Sequence, residues 1–368
     1  MKTKYTFLYI VALASLLFLE HLSNIAGSAI KTLILVYLLA NVIKIRAISP
    51  ILILFCLSFL FNANYDFGFG IINELIQIIY FPVSFYFFYR YFKDKKALSR
   101  FSNLIAYTVI FSSLFFLFNI LTQNTLIIEQ LEVLNNKIDD NSKQYFHFGF
   151  FDHPQVASKI YVLSTIVLLF KKNKALLDYV AISLGIYLVY ITYVRLGWLV
   201  LFVAFIFFIL QQKSKKLKLL FLSLFGIGVL AVFPMVINRI LNFNNVLTLT
   251  SISSGRDLVI LKTIDFLQNI SLSQFIFGSG FEVVMNNIGY AHNRFFEIFV
   301  FGGLISFILW IGIYLKILGI IKTFIRGNYL VISVLFLIIM TMLLSHGFSP
   351  YLAILCAISI VSSKAQSD

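Results

Sequence analysis

Charge is scarce in this sequence: Asp, Glu, Lys and Arg make up 12% of its 368 residues, against 60% hydrophobic residues. So little charge cannot cover the surface of a water-soluble globule of this length, which excludes an ordinary soluble enzyme. Cysteine is nearly absent. Cys56 and Cys356 both lie in apolar runs, so neither a disulfide framework nor a zinc site is indicated, and each reads as a small buried hydrophobe. No DxD-like pair of carboxylates appears, and neither a metal nor another cofactor is expected.

What the chain has instead is apolar length, with a mean hydropathy of +0.95. Apolar segments at roughly 5–20, 26–43, 47–62, 71–92, 102–121 and 154–170, then 178–193, 196–212, 218–238, 293–314, 328–345 and 350–363, read as membrane spans of about 17 to 25 residues or slightly less. The first, behind Met1-Lys2-Thr3-Lys4, reads as an uncleaved span because no small-x-small site closes it. The expected fold is therefore all-α, a polytopic membrane protein of about twelve transmembrane helices. Its regions are 1–121 (N-terminal spans), 122–152 (outer loop), 153–238 (central spans), 239–292 (outer catalytic loop) and 293–368 (C-terminal spans).

The formal charge of +14 has to be read by position, and so read it gives no reason to expect nucleic acid. Alternate loops hold Lys44 and Arg46, Lys93 to Arg100, Lys171 to Lys174, Lys213 to Lys218, and Lys316 to Arg326. That set, with Arg90 and the termini, carries 20 basic and three acidic residues and is assigned to the cytoplasm; the other side carries nine basic and 12 acidic. Both termini are then cytoplasmic.

Basic residues on the outer side therefore stand out. Arg195 sits in the short turn Tyr193-Val194-Arg195-Leu196-Gly197-Trp198 between two spans. Arg256 follows Ser254-Gly255, where Ser254 and Asp257 resemble a capping box, so that Arg256 lies in the first turn of a helix whose free N–H groups favour an anion. Apolar spacing at Leu258, Leu261, Ile264 and Leu267 carries this helix to about Phe277-Gly278, lying along the outer interface. His292 opens Ala291-His292-Asn293-Arg294-Phe295-Phe296-Glu297, a polar loop running into a span. Ionisable groups at such a mouth read as a site, and an imidazole there suits proton transfer near neutral pH. Arg294 either adds a phosphate contact or anchors the helix mouth, and His153 reads as a site residue or an interfacial histidine.

These residues carry a resemblance. Asp152-His153-Pro154-Gln155-Val156-Ala157, the pair Arg195 and Gly197, Ser254-Gly255-Arg256, Gly278-Ser279-Gly280-Phe281, and His292-Asn293 followed by Gly303 agree in order with the O-antigen polymerase and O-antigen ligase family (Wzy-type polymerases). The match covers about 145–315. It departs where the family often has Asn, at Gln155, and where it often has an acidic residue two before the closing glycine, at Phe301, which leaves Glu297 as the nearest carboxylate. The resemblance implies a fold similar to GT-C-type glycosyltransferases and a metal-independent transfer from an undecaprenyl-diphosphate-linked oligosaccharide at the outer face of a bacterial cytoplasmic membrane. Membrane lipid, a chain-length regulator and a flippase are the implied partners. It further implies that Arg195 and Arg256 bind the diphosphate and that His292 is catalytic, with Asn293, Arg294, Glu297 and His153 as substrate-contacting candidates.

Polymerase and ligase are not separated by these motifs. A secondary transporter is the reading from another class; it would show internal repeats and ionisable residues at mid-depth, whereas no repeat is visible and Glu74 is the one acidic residue placed inside a span.

Overall fold

The computed structural model describes residues 24–43, 49–62, 69–91, 97–122, 154–192, 194–216, 218–219, 222–223, 226, 256–291, 293–325, 327–344 and 350–364. Among them are thirteen helices and no strand, so the fold is all-α. In chain order these are α1 (Asn24–Val42), α2 (Ser49–Leu60), α3 (Phe69–Tyr91), α4 (Ala97–Thr122), α5 (Pro154–Leu169), α6 (Leu176–Ile191) and α7 (Arg195–Gln211). There follow α8 (Arg256–Asn269), α9 (Leu272–Phe277), α10 (Phe281–Asn287), α11 (Arg294–Ile325), α12 (Tyr329–Leu344) and α13 (Pro350–Lys364). Ten of the twelve expected apolar segments coincide with helices. The segment 5–20 and most of 218–238 lie outside the described residues. Pro154 and Pro350 open α5 and α13, the position where a missing N–H and a fixed φ do no harm.

The long helices alternate in direction, and a few contacts fix this. Tyr89 meets Phe324 and Phe170 meets Phe208, so α3 runs parallel to α11 and α5 parallel to α7. Phe207 against Tyr329 puts the end of α7 beside the start of α12, and Ser58 Oγ lies 2.9 Å from Ser306 Oγ, so α2 enters from the side opposite to α11. One end of the bundle therefore holds the starts of α3, α5, α7 and α11. The other holds the turns at 170–175 and 212–214, the far end of α11 and the start of α12.

At that second end Lys171, read from the sequence as a loop lysine, is buried and donates to both Asp178 carboxylate oxygens at 2.8 Å and to Asn103 Oδ1 at 2.7 Å. One cation thus ties α4, the α5–α6 turn and α6. Lys174 Nζ donates to the Lys171 carbonyl at 2.8 Å and lies over the Phe208 ring, and its partial burial lowers its pKa.

α11 is broken. Gly303 takes φ 74°, ψ −176°, a conformation essentially restricted to glycine, so Arg294–Gly302 is a short half-helix and 304–325 a separate straight run of about 33 Å. The break leaves the carbonyls of Val300 and Phe301 without their helical donors. The backbone N–H groups of Ser279 and Gly280 replace them, at 2.8 and 3.2 Å. Gly278, also at positive φ, packs face to face with Gly303; a Cβ on either would strike the other strand's backbone. Gly302, by contrast, packs closely against Phe59.

A second difference concerns the helix expected to reach Phe277. It stops at Asn269 and restarts at Leu272, because Ser271 forms a capping box with Gln274: Gln274 N–H donates to Ser271 Oγ at 3.2 Å and Ser271 N–H to Gln274 Oε1 at 2.9 Å.

Among the described residues two helices, Gly70–Arg90 and Arg294–Ile325, are long and apolar enough to cross a membrane, and eight further apolar helices of 10–17 residues accompany them. α5 is the centre of the bundle, buried from Ala157 to Leu169. The bundle's outer surface is apolar too: Tyr107, Phe111 and Leu114 on α4, Leu199, Phe202, Ile206 and Leu210 on α7, and Ile305, Ile308 and Leu315 on α11 are exposed.

Candidate functional site

Arg195 is the first residue of α7 and is half-buried, in a turn of three residues after α6. The turn is fastened by Thr192 Oγ1 donating to Val189 O at 2.7 Å and by Trp198 Nε1 donating to the same carbonyl at 3.2 Å, with Trp198 stacked on Tyr190. Gly197 lets α7 approach α5, since a Cβ there would collide with Ser158 Oγ. The Arg-x-Gly pair thus has a packing reason for its glycine.

Arg256 is the first described residue of α8; Ser254 and Gly255, and with them the expected cap, lie outside the described residues. His153 and His292 also lie outside them. Both flanks of His292 are described, however, and they are firmly built.

On one flank, Asn293 caps α11: its Oδ1 accepts from the backbone N–H of Phe295 at 3.0 Å and Phe296 at 3.3 Å. The helix therefore begins after His292. Arg294, at its first position, is 3% exposed and joined to two carboxylates: Nη1 donates to Glu74 Oε2 at 2.6 Å and lies 3.1 Å from Glu297 Oε2, while Nη2 reaches Gln77 Oε1 at 3.4 Å. Glu74 is 2% and Glu297 0% exposed, so this is an internal ion cluster bridging α3 and α11. On the other flank stands Tyr290, whose hydroxyl feels the charge of the Glu74 carboxylate. Burial, then the neighbouring Glu74 carboxylate, push the Tyr290 hydroxyl up to about 12, so it remains a proton-bearing donor at neutral pH.

The structure thus gathers the flanks of His292 with Arg294 and Glu297, both expected at the substrate, and engages these two with each other and with Glu74. It sets Asn293 as a helix cap. Arg195 stands at the same end of the bundle, by the helix directions given above. Two features escaped the sequence reading. One is the Glu74–Arg294 bond, between residues 220 positions apart. The other is Lys159, 4% exposed on α5 one turn inside its start, whose signal was visible as a lysine inside an apolar run. Among the described residues no three His, Cys, Asp or Glu side chains gather as a metal site.

No protein-family model matches the chain, and no curated protein matches it.

Proposed function

We propose that the chain is a polytopic membrane glycosyltransferase that joins lipid-diphosphate-linked oligosaccharide repeat units at the outer face of a cytoplasmic membrane. The membrane part rests on the surface of the bundle. Rows of exposed Leu, Ile, Phe and Tyr along α4, α7 and α11 far exceed the apolar patches a soluble monomer presents, and lipid is the solvent that suits them. Ten helices at the expected apolar segments, with lysines in the turns at one end, fit a protein of about twelve spans.

The observation that carries the enzymatic part is the end of the bundle opposite the lysine-rich turns, which holds Arg195 at the start of α7 and Asn293 and Arg294, the sequence neighbours of His292, at the start of α11; Arg256 is assigned to the same site from the sequence. In the proposed reaction an acceptor sugar hydroxyl attacks the anomeric carbon of the donor while the bond to the lipid diphosphate breaks. His292 takes the hydroxyl proton. Arg195 and Arg256 receive the departing diphosphate, whose growing negative charge two guanidinium groups meet through paired, charge-assisted hydrogen bonds.

The test is a purified protein supplied with its lipid-linked repeat unit alone. A ladder of polymer is the expected product. Product formed only when a lipid-core acceptor is added identifies a ligase, and movement of the lipid-linked unit across a bilayer with no new bond identifies a transporter.

A further inference from the structure

One side of α7, with Val200, Leu201 and Ala204, is buried against the bundle. The other side leaves Leu199, Phe202, Ile206 and Leu210 exposed, at successive spacings of three, four and four residues that put them in one row along the helix. The row is about 17 Å long, close to the hydrocarbon depth of a single leaflet, which is half of about 30 Å. Just past its lysine-rich end α7 stops at Gln211, and Lys213, Lys215 and Lys216 follow, all of them exposed. Three peptide steps join the first of these lysines to the last, so their Cα atoms lie within about 11 Å of one another. Asp178, the one acidic side chain among the described residues of this end, does not offset them, because it is buried with both carboxylate oxygens on Lys171.

We infer that the exposed row of α7 and the three lysines after it form a binding site for an anionic glycerophospholipid of the cytoplasmic leaflet, with an acyl chain along the row and the phosphate among the ammonium groups. The two halves of the site select this ligand together. A soluble polyanion engages the lysines and leaves the row from Leu199 to Leu210 uncovered. A zwitterionic lipid covers the row, but its own cation opposes the lysines. Only a lipid whose headgroup carries net negative charge satisfies both. Lysine suits the place, since its apolar stem can lie along the membrane surface while the ammonium reaches the headgroup. Each such lysine near an anionic surface strengthens binding by about fivefold. The inference rests on the membrane reading of the bundle and is independent of the transfer reaction.

The test uses the full chain with Cys56 and Cys356 replaced by alanine and Leu210→Cys labelled with a bimane fluorophore, in phosphatidylcholine vesicles. Quenching by increasing fractions of chain-brominated phosphatidylglycerol, compared with chain-brominated phosphatidylcholine, gives the relative affinity of the two lipids at the lysine end of the row. A preference for phosphatidylglycerol of about fivefold or more is expected at about 0.1 M salt, shrinking toward unity at about 1 M. Lys213→Gln, Lys215→Gln and Lys216→Gln together should bring it below about twofold. Quenching by brominated phosphatidylcholine should stay as in the parent chain, which shows the row intact. Equal affinities in the parent, or a preference that survives the triple substitution, overturns the inference and leaves the membrane reading standing. Absence of quenching by either lipid overturns the inference together with the lipid-facing assignment of α7. Glycerol phosphate added in solution should leave the preference unchanged; if it abolishes the preference, the lysines bind phosphate without the chain and the inference fails.

Discussion

Gly303→Ala and Gly312→Ala are the same substitution nine residues apart in one helix, and the structure predicts opposite outcomes. At Gly303 the backbone sits at φ 74°, ψ −176°, which a residue with a Cβ occupies at a cost of about 1–3 kcal/mol. The new methyl would also meet the backbone of Ile276 and Gly278, which has no flexible end to move aside. Segment 276–280 must lift, and with it go the bonds from Ser279 and Gly280 to Val300 and Phe301. Each buried carbonyl left without a donor adds about 1–3 kcal/mol. The total is roughly 3–9 kcal/mol, enough to dislodge α9 or unfold a marginal protein. At Gly312 nothing stands within 4 Å of a Cβ, so alanine should be neutral or stabilise by up to about 1 kcal/mol through helix propensity. Thermal unfolding of the two variants in one detergent reads the difference directly. Equal unfolding temperatures would refute the sealed break at Gly303.

Arg294→Gln should be strongly destabilising, by about 3–5 kcal/mol, because it strands Glu74 and Glu297 as buried carboxylates; a melt like that of wild type would contradict the cluster. Arg256→Lys should be nearly as damaging to turnover as Arg256→Ala, a loss of roughly 2.7–4 kcal/mol in barrier terms, since an ammonium cannot reproduce a two-pronged phosphate contact, while Lys262→Ala should be mild. Near-normal turnover of the lysine variant would return Arg256 to an interfacial anchor. Polymer formation should survive a strong chelator, because guanidinium groups meet the diphosphate charge; activity lost to the chelator and restored by Mg²⁺ or Mn²⁺ would contradict this.

The helices were legible because each apolar run is bounded by lysines, arginines or a proline, and those boundaries need no tertiary information. The breaks were less so. Leu267 continues an apolar spacing into Leu272 and Phe275, which hid the stop at Asn269, although Ser271-Leu272-Ser273-Gln274 spells a capping box. Nothing local distinguishes Gly303 as a break from Gly302 as a packing contact, since the break exists only because Gly278 lies against it. Among the site residues, the individual ionisable groups were visible by their cost in an apolar setting, but which of them meet was not. Glu74 and Arg294 were singled out separately, and only the packing of α3 beside α11 makes them partners.

The central claim is that the end of the bundle bearing Arg195, Arg256 and the His292 segment faces outward across a membrane from the lysine-rich end. Single cysteines placed beside Arg195 and beside Lys215, in a chain lacking Cys56 and Cys356, test it in intact cells with a membrane-impermeant thiol reagent. The account predicts labelling beside Arg195 and none beside Lys215 until the membrane is opened. Labelling of both sites from the same side would contradict the topology and remove the basis of the site.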